Sequence, residues 1–398
     1  MKIVYLEPAG KGGMIHYAFQ LCRAMVTLGA DVTLITATDY ELAALPHPFR
    51  VEPIIELWDP KPPGKVSMAP WTVAGRKLRR VGRAIRYYRQ WLRQIRRVAQ
   101  LKPDVVIIGD IRFPFDLFPL MLLRRKAKRL VDLCHNVHPY ATSGGVFDRS
   151  RWREWFYRRI YRQFDRVFVH FERNRREFLQ SFGVPAKRVG VIVHGNENIF
   201  RDLARPGFTA AALRTRLGID QSEKIVLFFG TLSRYKGVDI LLDAFPAIHH
   251  ATGARLVIAG FPGPDFDLRA HQERVRELVP VTWVPEYVES SEVAAWMGLA
   301  SVIVFPYRDI YQSGALHVPQ TFGVPIVASA IGAMRDVVED GVSGLLVPPE
   351  DPHALAEAVT RLLLDRELAQ RLGARAAADA QGPFAWTTVA HALLDPPR

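Results

Sequence analysis

Cysteine is scarce in this sequence, long apolar runs are missing, and acidic residues are thin over the first half. The two cysteines, Cys22 and Cys134, are too few for a disulfide framework and fit a reducing compartment. No stretch approaches the roughly 18 apolar residues that cross a bilayer. The longest candidate, Phe113 to Leu123, contains Pro114, Asp116 and Pro119. Met1–Glu7 turns acidic after a short apolar run and does not read as a signal peptide. The expectation is a cytoplasmic protein, with peripheral contact to the inner face of the membrane as the one membrane role open to it. The chain has no Gly-x-Ser-x-Gly elbow for Ser-His-Asp chemistry. His135, His138 and His194 are not at metal-ligand spacing.

What is present is a folded chain of two-domain size. Its 398 residues are 49% hydrophobic and 23% charged, which excludes disorder and suggests two cores rather than one. Charge divides the halves. Residues 1–200 hold 35 of the 53 Lys plus Arg and 17 of the 40 Asp plus Glu, a balance of +18. Residues 201–398 hold the remaining 18 against 23, a balance of −5. A basic half of this kind presents a face to a polyanion.

Short apolar runs alternate with helical patterns. Lys2–Leu6, Asp31–Thr36, Val105–Ile108, Arg129–Leu133 and Val167–His170 read as buried parallel strands. A second series follows at Ile225–Phe229, Ala254–Ala259, Val281–Val284, Val302–Phe305, Pro325–Ala328 and Gly344–Val347. Helical spacing lies between them, as in Ile15–Leu28, Gly237–His250 and Ser291–Gly298. Two such series predict an α/β chain with two doubly wound, Rossmann-like domains and ligands at the carboxyl ends of their strands. The boundary is expected between 204 and 205, where Asn196–Gly207 is polar and contains Pro206.

Three segments carry the chemistry. Glu7-Pro8-Ala9-Gly10-Lys11-Gly12-Gly13 leaves a strand and enters a helix. Such a loop lets backbone N–H groups approach a ligand, unless it is a plain tight turn. Gly230-Thr231-Leu232-Ser233-Arg234-Tyr235-Lys236-Gly237 places two cations between a strand and a helix. Arg binds phosphate bidentately and Lys as a point charge, so the pair suits a diphosphate. The plain alternative is a solvated basic loop. Phe305-Pro306-Tyr307 leads to Ser313-Gly314, which opens a further helix with accessible N–H groups or with an ordinary cap.

The order of these motifs, with Cys134-His135-Asn136, Val193-His194-Gly195-Asn196, Gly323-x-Pro325 and Pro348-Pro349-Glu350-Asp351-Pro352, resembles glycosyltransferase family four. The resemblance covers nearly the whole chain, most specifically its second half. It implies a GT-B fold, two Rossmann-like domains facing each other across a cleft, and a retaining, metal-independent hexosyltransferase. No cofactor is implied beyond the donor substrate, a UDP-, GDP- or ADP-sugar. The implied domains are 1–204 for the acceptor side, 205–375 for the nucleotide sugar, and a final helix in 376–398 that crosses back to the first. The implied catalytic residues are His135, near the sugar, with Arg234 and Lys236 on the diphosphate. The implied donor set is Gly12, Gly13, Gly230, Arg234, Lys236, Gly260, Gln312, Ser313 and Gly314. Fixed cations and N–H groups aimed at the departing diphosphate stabilise the charge that develops there.

The sequence departs from the family at one place. Relatives carry two glutamates separated by seven residues near the third segment, the second on the ribose. Here Val318 or Pro319 stands at the second position, and Gln312 and Gln320 fit only in a shifted register. Asp265-Phe266-Asp267 has a metal-binding form known from another transferase fold but reads as a solvated loop. Two other readings stay open: a GT-B epimerase or phosphorylase, and a non-catalytic relative that binds membrane or nucleic acid.

From Arg76 to Arg97 there are ten Lys/Arg and no acid, interleaved with Ile85, Tyr88, Trp91, Leu92 and Ile95. That is an amphipathic basic helix of the kind that lies on anionic lipid. The plain alternative is a solvated face whose apolar side packs on the domain. No nucleic-acid motif accompanies it, so no nucleic-acid partner is expected. The expected partners are a nucleotide sugar, a saccharide or lipid-linked acceptor in polysaccharide or glycolipid assembly, and an anionic membrane surface.

Overall fold

The computed structural model of the chain describes residues 1–56, 73–137, 151–278, 280–310 and 314–394, with the backbone alone at 73–81 and 151. The chain divides into two units, Met1–Ile192 with Val389–Arg398, and Val193–Thr388.

In the first unit, β1 (Lys2–Glu7), β2 (Asp31–Ala37), β3 (Arg50–Ile55), β4 (Val105–Ile108), β5 (Arg129–Leu133), β6 (Arg166–Val169) and β7 (Val189–Val191) form one parallel sheet. Their order is β3-β2-β1-β4-β5-β6-β7. The helices are α1 (Gly13–Thr27), α2 (Val73–Leu101), α3 (Leu117–Arg124), α4 (Arg151–Tyr161) and α5 (Glu172–Phe182). The inner strands are apolar along their length because helices cover both faces of a parallel sheet. Ile3, Val4, Val106, Ile107 and Leu130 are fully buried.

The second unit repeats the plan. Its helices begin with α6 (Ile199–Asp202) and α7 (Ala210–Leu217). Its strands are β8 (Ile225–Phe229), β9 (Arg255–Ala259), β10 (Val281–Val284), β11 (Val302–Phe305), β12 (Ile326–Ser329) and β13 (Leu345–Val347), in the order β10-β9-β8-β11-β12-β13. The later helices are α8 (Val238–Thr252), α9 (Leu268–Glu277), α10 (Val293–Leu299), α11 (His317–Phe322), α12 (Gly332–Val337), α13 (Pro352–Leu364) and α14 (Arg366–Gln381), while α15 (Trp386–Leu394) starts in this unit and from Val389 onward belongs with the first. In each sheet the order reverses beside the first strand, between β1 and β4 and between β8 and β11. The carboxyl ends of those strands are where a doubly wound sheet offers a ligand crevice.

Two strands lie where none was expected, and both are sheet edges. β3 carries Glu52 and Pro53 and is half-exposed, and an edge tolerates a residue with no N–H to give. β7 is three residues long, with Gly190 packed on the Phe168 ring. Neither has the apolar density of an inner strand.

Residues 193–204, expected with the first domain, belong with the second. Asn196 donates its side-chain amide to Ala380 O at 2.7 Å, Trp386 donates its indole N–H to Asn196 O at 2.7 Å, and Glu197 N–H reaches Thr321 Oγ1 at 2.8 Å. A polar, Pro-containing stretch looked like a linker because its hydrogen bonds are to residues far along the chain.

The later turns of the basic helix follow the plainer of its two readings. Trp91, Ile95, Val98 and Leu101 are buried, so the later turns of α2 pack on the domain. Arg97 forks onto Glu52 at 2.5 and 2.6 Å. Arg76, Lys77, Arg79 and Arg80 lie outside the residues whose side chains are described. Among the described residues, no helix is long and apolar enough to cross a membrane.

Candidate functional site

The basic loop of the second unit starts where β8 ends. Gly230 has φ 117° and Gly260, after β9, has φ 151°. A Cβ at Gly260 would stand 1.9 Å from Gly230 O. The two strand ends meet backbone to backbone, and only glycine permits it. Leu232 N–H then bonds Phe261 O at 2.8 Å, and Gly263 N–H bonds Leu232 O at 2.7 Å. Phe261 is half-exposed beside this junction.

Arg234–Lys236 makes one 3-10 turn, closed by Gly237 at φ 67°. A Cβ on Gly237 would press Pro306 O at 2.0 Å, so the turn rests on the end of β11 at the switch point. Two carboxylates fix the turn from outside. Asp265 accepts from Ser233 Oγ at 2.6 Å and Arg234 N at 3.2 Å. Asp239 receives both arms of Arg308 at 2.8 and 2.6 Å, while Arg308 also donates to Arg234 O at 3.1 Å. Hydrogen bonds donated to Asp239 hold the Arg308 guanidinium well above its ordinary pKa, and the same bonds pull Asp239 down. Asp265, read in the sequence as solvated, is therefore a clamp on the basic loop. Asp267 caps α9 through Ala270 N–H at 3.0 Å.

The two cations differ. Arg234 is exposed. Lys236 is 7% exposed, and burial pulls its ammonium down to about 8. Its Nζ lies 5.4 Å from the Tyr307 ring centre and 6.0 Å from that of Tyr235. Among the described residues it has no acidic partner. A buried cation without a counter-charge is costly, and an anion that enters this site recovers the cost.

Gln312 and Ser313 lie outside the described residues. Gly314 sits next to two buried side chains that sequence reasoning passed over as ligands of this region. A Cβ there would lie 3.2 Å from His194 Nε2 and 3.8 Å from Glu197 Oε1. His194 stacks on His317 with ring centres 5.1 Å apart, and burial pulls His194 down to about 4, so it is neutral at pH 7. Val318 is buried, and Gln320 donates to Val337 O at 3.2 Å inside the core. The residues around the family's second glutamate position are packing residues here.

In the first unit, Gly12 stands at φ 78° just before α1, and Gly13 is the first residue of that helix. A Cβ at either would meet no atom within 4 Å, so both border open space. The Gly12 N–H is already given to Glu41 Oε1 at 2.7 Å, and His16 Nε2 lies 2.9 Å from the same oxygen. Burial raises Glu41, but the His16 and Gly12 hydrogen bonds and Lys11 outweigh it, and the net shift is downward. His135, after β5, has Nδ1 at 3.0 Å from His170 Nε2. The sequence showed His170 as the last residue of a strand without assigning it a role. Glu7, the last residue of β1, is fully buried against Gly109. Its Oε1 accepts Ala9 N–H at 2.8 Å, and Oε2 has no hydrogen-bond partner among the described residues. Burial pushes this carboxyl up to about 8. Among the described residues, no group of three or more His, Cys, Asp or Glu is placed to hold a metal ion.

Residues 12–195 match the family model described as glycosyl transferase 4-like domain, and residues 223–365 match the one described as glycosyl transferases group 1. A curated relative, D-inositol 3-phosphate glycosyltransferase of Streptomyces griseus subsp. griseus, is 32% identical over 251 residues, covering 58% of this chain and 53% of its own length. The chain spans about half the length of the curated relatives it matches. Among solved structures, sucrose-phosphate synthase from Thermosynechococcus elongatus superposes with a TM-score of 0.67 at 22% identity, covering 98% of this chain and 97% of its own. Anabaena Alr3699/HepE, solved in complex with UDP and glucose, has a TM-score of 0.66 at 18% identity, with 99% and 98% covered. At these identities the structural likeness speaks for the fold.

The buried carboxyl of Glu7 makes stability depend on pH. Its folded pKa of about 8 lies above the ordinary 4.5, so folding takes up a proton between those values. Its contribution is fully present below about pH 4.5 and is lost as pH rises through about 8, up to about 5 kcal/mol in all. Glu7→Gln should flatten the fall in urea-unfolding stability between pH 5 and 8; an unaltered slope would contradict the assignment.

Proposed function

We propose that this chain, which belongs to the family 4-like glycosyltransferases of the GT-B fold, moves a sugar from a nucleoside-diphosphate sugar to a saccharide acceptor with retention. The observation that carries the reading is Lys236, a buried ammonium with no acidic partner among the described residues, at the switch point of the second sheet. The UDP and UDP-glucose complexes of Anabaena Alr3699/HepE support a donor of this class.

The chemistry follows from charge. The bond between the anomeric carbon and the diphosphate oxygen breaks, and the leaving group gains negative charge. Lys236 meets that charge from a site of low dielectric, where a fixed cation acts strongly. Arg234 adds a planar fork from the solvent side. The acceptor hydroxyl bonds to the same face of the sugar, and its proton passes to the departing phosphate oxygen. The transfer then uses no metal and no protein base, and Gly230, Gly260 and Phe261 border the nucleotide. Gly12, Gly13 and His135 serve the sugar.

Lys236→Ala should cut turnover by at least about 100-fold while leaving the melting temperature within a few degrees. Calorimetry against UDP, GDP and ADP should show binding of one of them to the parent chain and much weaker binding to the variant. Unchanged turnover in the variant would refute the role of Lys236, and no binding by the parent would favour a non-catalytic relative.

The acceptor is proposed to be lipid-linked, met at the cytoplasmic face of an anionic membrane. Support comes from exposed aromatics on the first unit: Phe118 on α3, at 55% exposure, and Trp152 and Trp155 on α4, at 57% and 48%. They gather round Phe156, with ring centres 4.9 to 6.3 Å away. Arg159 covers the Trp155 ring at 4.0 Å. Aromatics and arginines together suit a lipid headgroup layer. On α2, Ile85 and Leu92 are exposed as well, at 53% and 43%, while Trp91, Ile95 and Val98 are buried. Replacing both Trp152 and Trp155 by Ala should lower co-sedimentation with anionic vesicles about tenfold. Equal recovery of the parent chain with neutral vesicles would contradict the membrane reading.

A further inference from the structure

His135 and His170 occupy equivalent places on neighbouring strands. β5 pairs with β6 in the register Asp132 to Val167 and Leu133 to Phe168. Carried two residues further, that register brings His135 opposite His170, so the pleat projects both imidazoles from the same edge of the sheet. β7 lies next, and Ile192, just after it, is the last residue of the first unit before the chain enters the second. His170 Nδ1 is 3.2 Å from Ile192 O, and His170 Nε2 is 3.0 Å from His135 Nδ1. A line of hydrogen bonds therefore crosses three consecutive strand ends. Tyr17 of α1 packs edge-on against both rings, with centres at 4.7 and 5.7 Å, and this fixes their planes.

The direction of the line follows from chemistry. A carbonyl oxygen only accepts, so His170 carries its proton on Nδ1. Neutral His170 then offers a lone pair at Nε2, and His135 must donate from Nδ1. Neutral His135 is left with its lone pair on Nε2. The far end of the line is a backbone atom, which cannot change its role, so the order is set by the fold.

We propose that His170 is a positioning residue that holds His135 in the Nδ1–H form, so that His135 meets a substrate hydroxyl as a hydrogen-bond acceptor through Nε2. This rests on the reading of His135 as a residue of the sugar site, and it adds which nitrogen acts and what sets it. His170 is 1% exposed, so its part is to orient rather than to touch substrate.

The test is nitrogen-15 NMR of the full chain labelled at histidine, with His135 assigned by difference from His135→Gln, together with kinetics of His170→Phe and His170→Gln. The proposal expects neutral His135 to show a protonated Nδ1 and an unprotonated Nε2. His170→Phe removes the acceptor and should shift His135 toward the Nε2–H form. Its kcat should fall about tenfold with the donor KM within about twofold. His170→Gln keeps an acceptor oxygen near the old Nε2 and should restore most of kcat. An Nε2–H form in the parent chain overturns the proposal even if a variant fails to fold, and equal losses in the two variants overturn it by leaving only a packing role. Full turnover in His135→Gln would instead remove His135 from the sugar site, a failure of the underlying reading that leaves the NMR result unaffected.

Discussion

A buried ammonium with no carboxylate to neutralise it among the described residues is the constraint on which the second unit depends. Lys236 is held by what surrounds it. Gly230 leaves room at the end of β8, since a side chain there would begin 3.3 Å from Nζ. The Tyr307 and Tyr235 rings offer the ammonium a weak, polarisable partner. The nearby carboxylates are directed elsewhere, Asp265 to Ser233 and the Arg234 backbone, and Asp239 to Arg308. Each satisfies a group that shapes the loop, and neither is paired with Lys236. A buried, unpaired charge costs stability, and that cost supports the proposed role of Lys236 on the diphosphate.

The first unit treats its strand ends differently. There the polar groups serve one another. Glu41 joins the Gly12 N–H and His16, His170 joins His135 to a backbone carbonyl, and Glu7 turns inward as a carboxyl that burial keeps protonated at neutral pH. These are fixed donors and acceptors, and they support the proposed placement of the sugar there. The +18 of residues 1–200 lies mostly on outer helices. One doubly wound plan thus carries a cationic end in one unit and a hydrogen-bonding end in the other, and the difference comes from a few side chains just beyond the strands.

Most inner strands were legible because parallel strands covered on both faces need unbroken apolar runs, as at Val105–Ile108 and Val302–Phe305. The edge strands β3 and β7 escaped because an edge has no such requirement. The basic loop was legible for a local reason, two cations between a strand and a helix. Its supports were not. Asp265 and Arg308 reach it from 32 and 74 positions away in sequence, and spacing carries no trace of such contacts. His170 was within reach, since it ends its strand as His135 follows the neighbouring one, but pairing the two requires the sheet order. The sequence left two readings of α2 open, because an apolar stripe on a basic helix looks the same whether it meets lipid or the domain core. The structure buries Trp91, Ile95 and Val98 on the domain and leaves Ile85 and Leu92 exposed.

The account turns on whether the Lys236 ammonium waits for an anion, and its own titration reads this directly. With lysine labelled for NMR and Lys236→Arg used for assignment, the Nζ of the free chain should titrate near 8, below the ordinary 10.5. A nucleoside diphosphate that binds should raise it by at least about one pH unit, because an adjacent anion favours the charged form. An ordinary value in the free chain, or a bound nucleotide that leaves the titration unmoved, would contradict the assignment of Lys236 to the diphosphate.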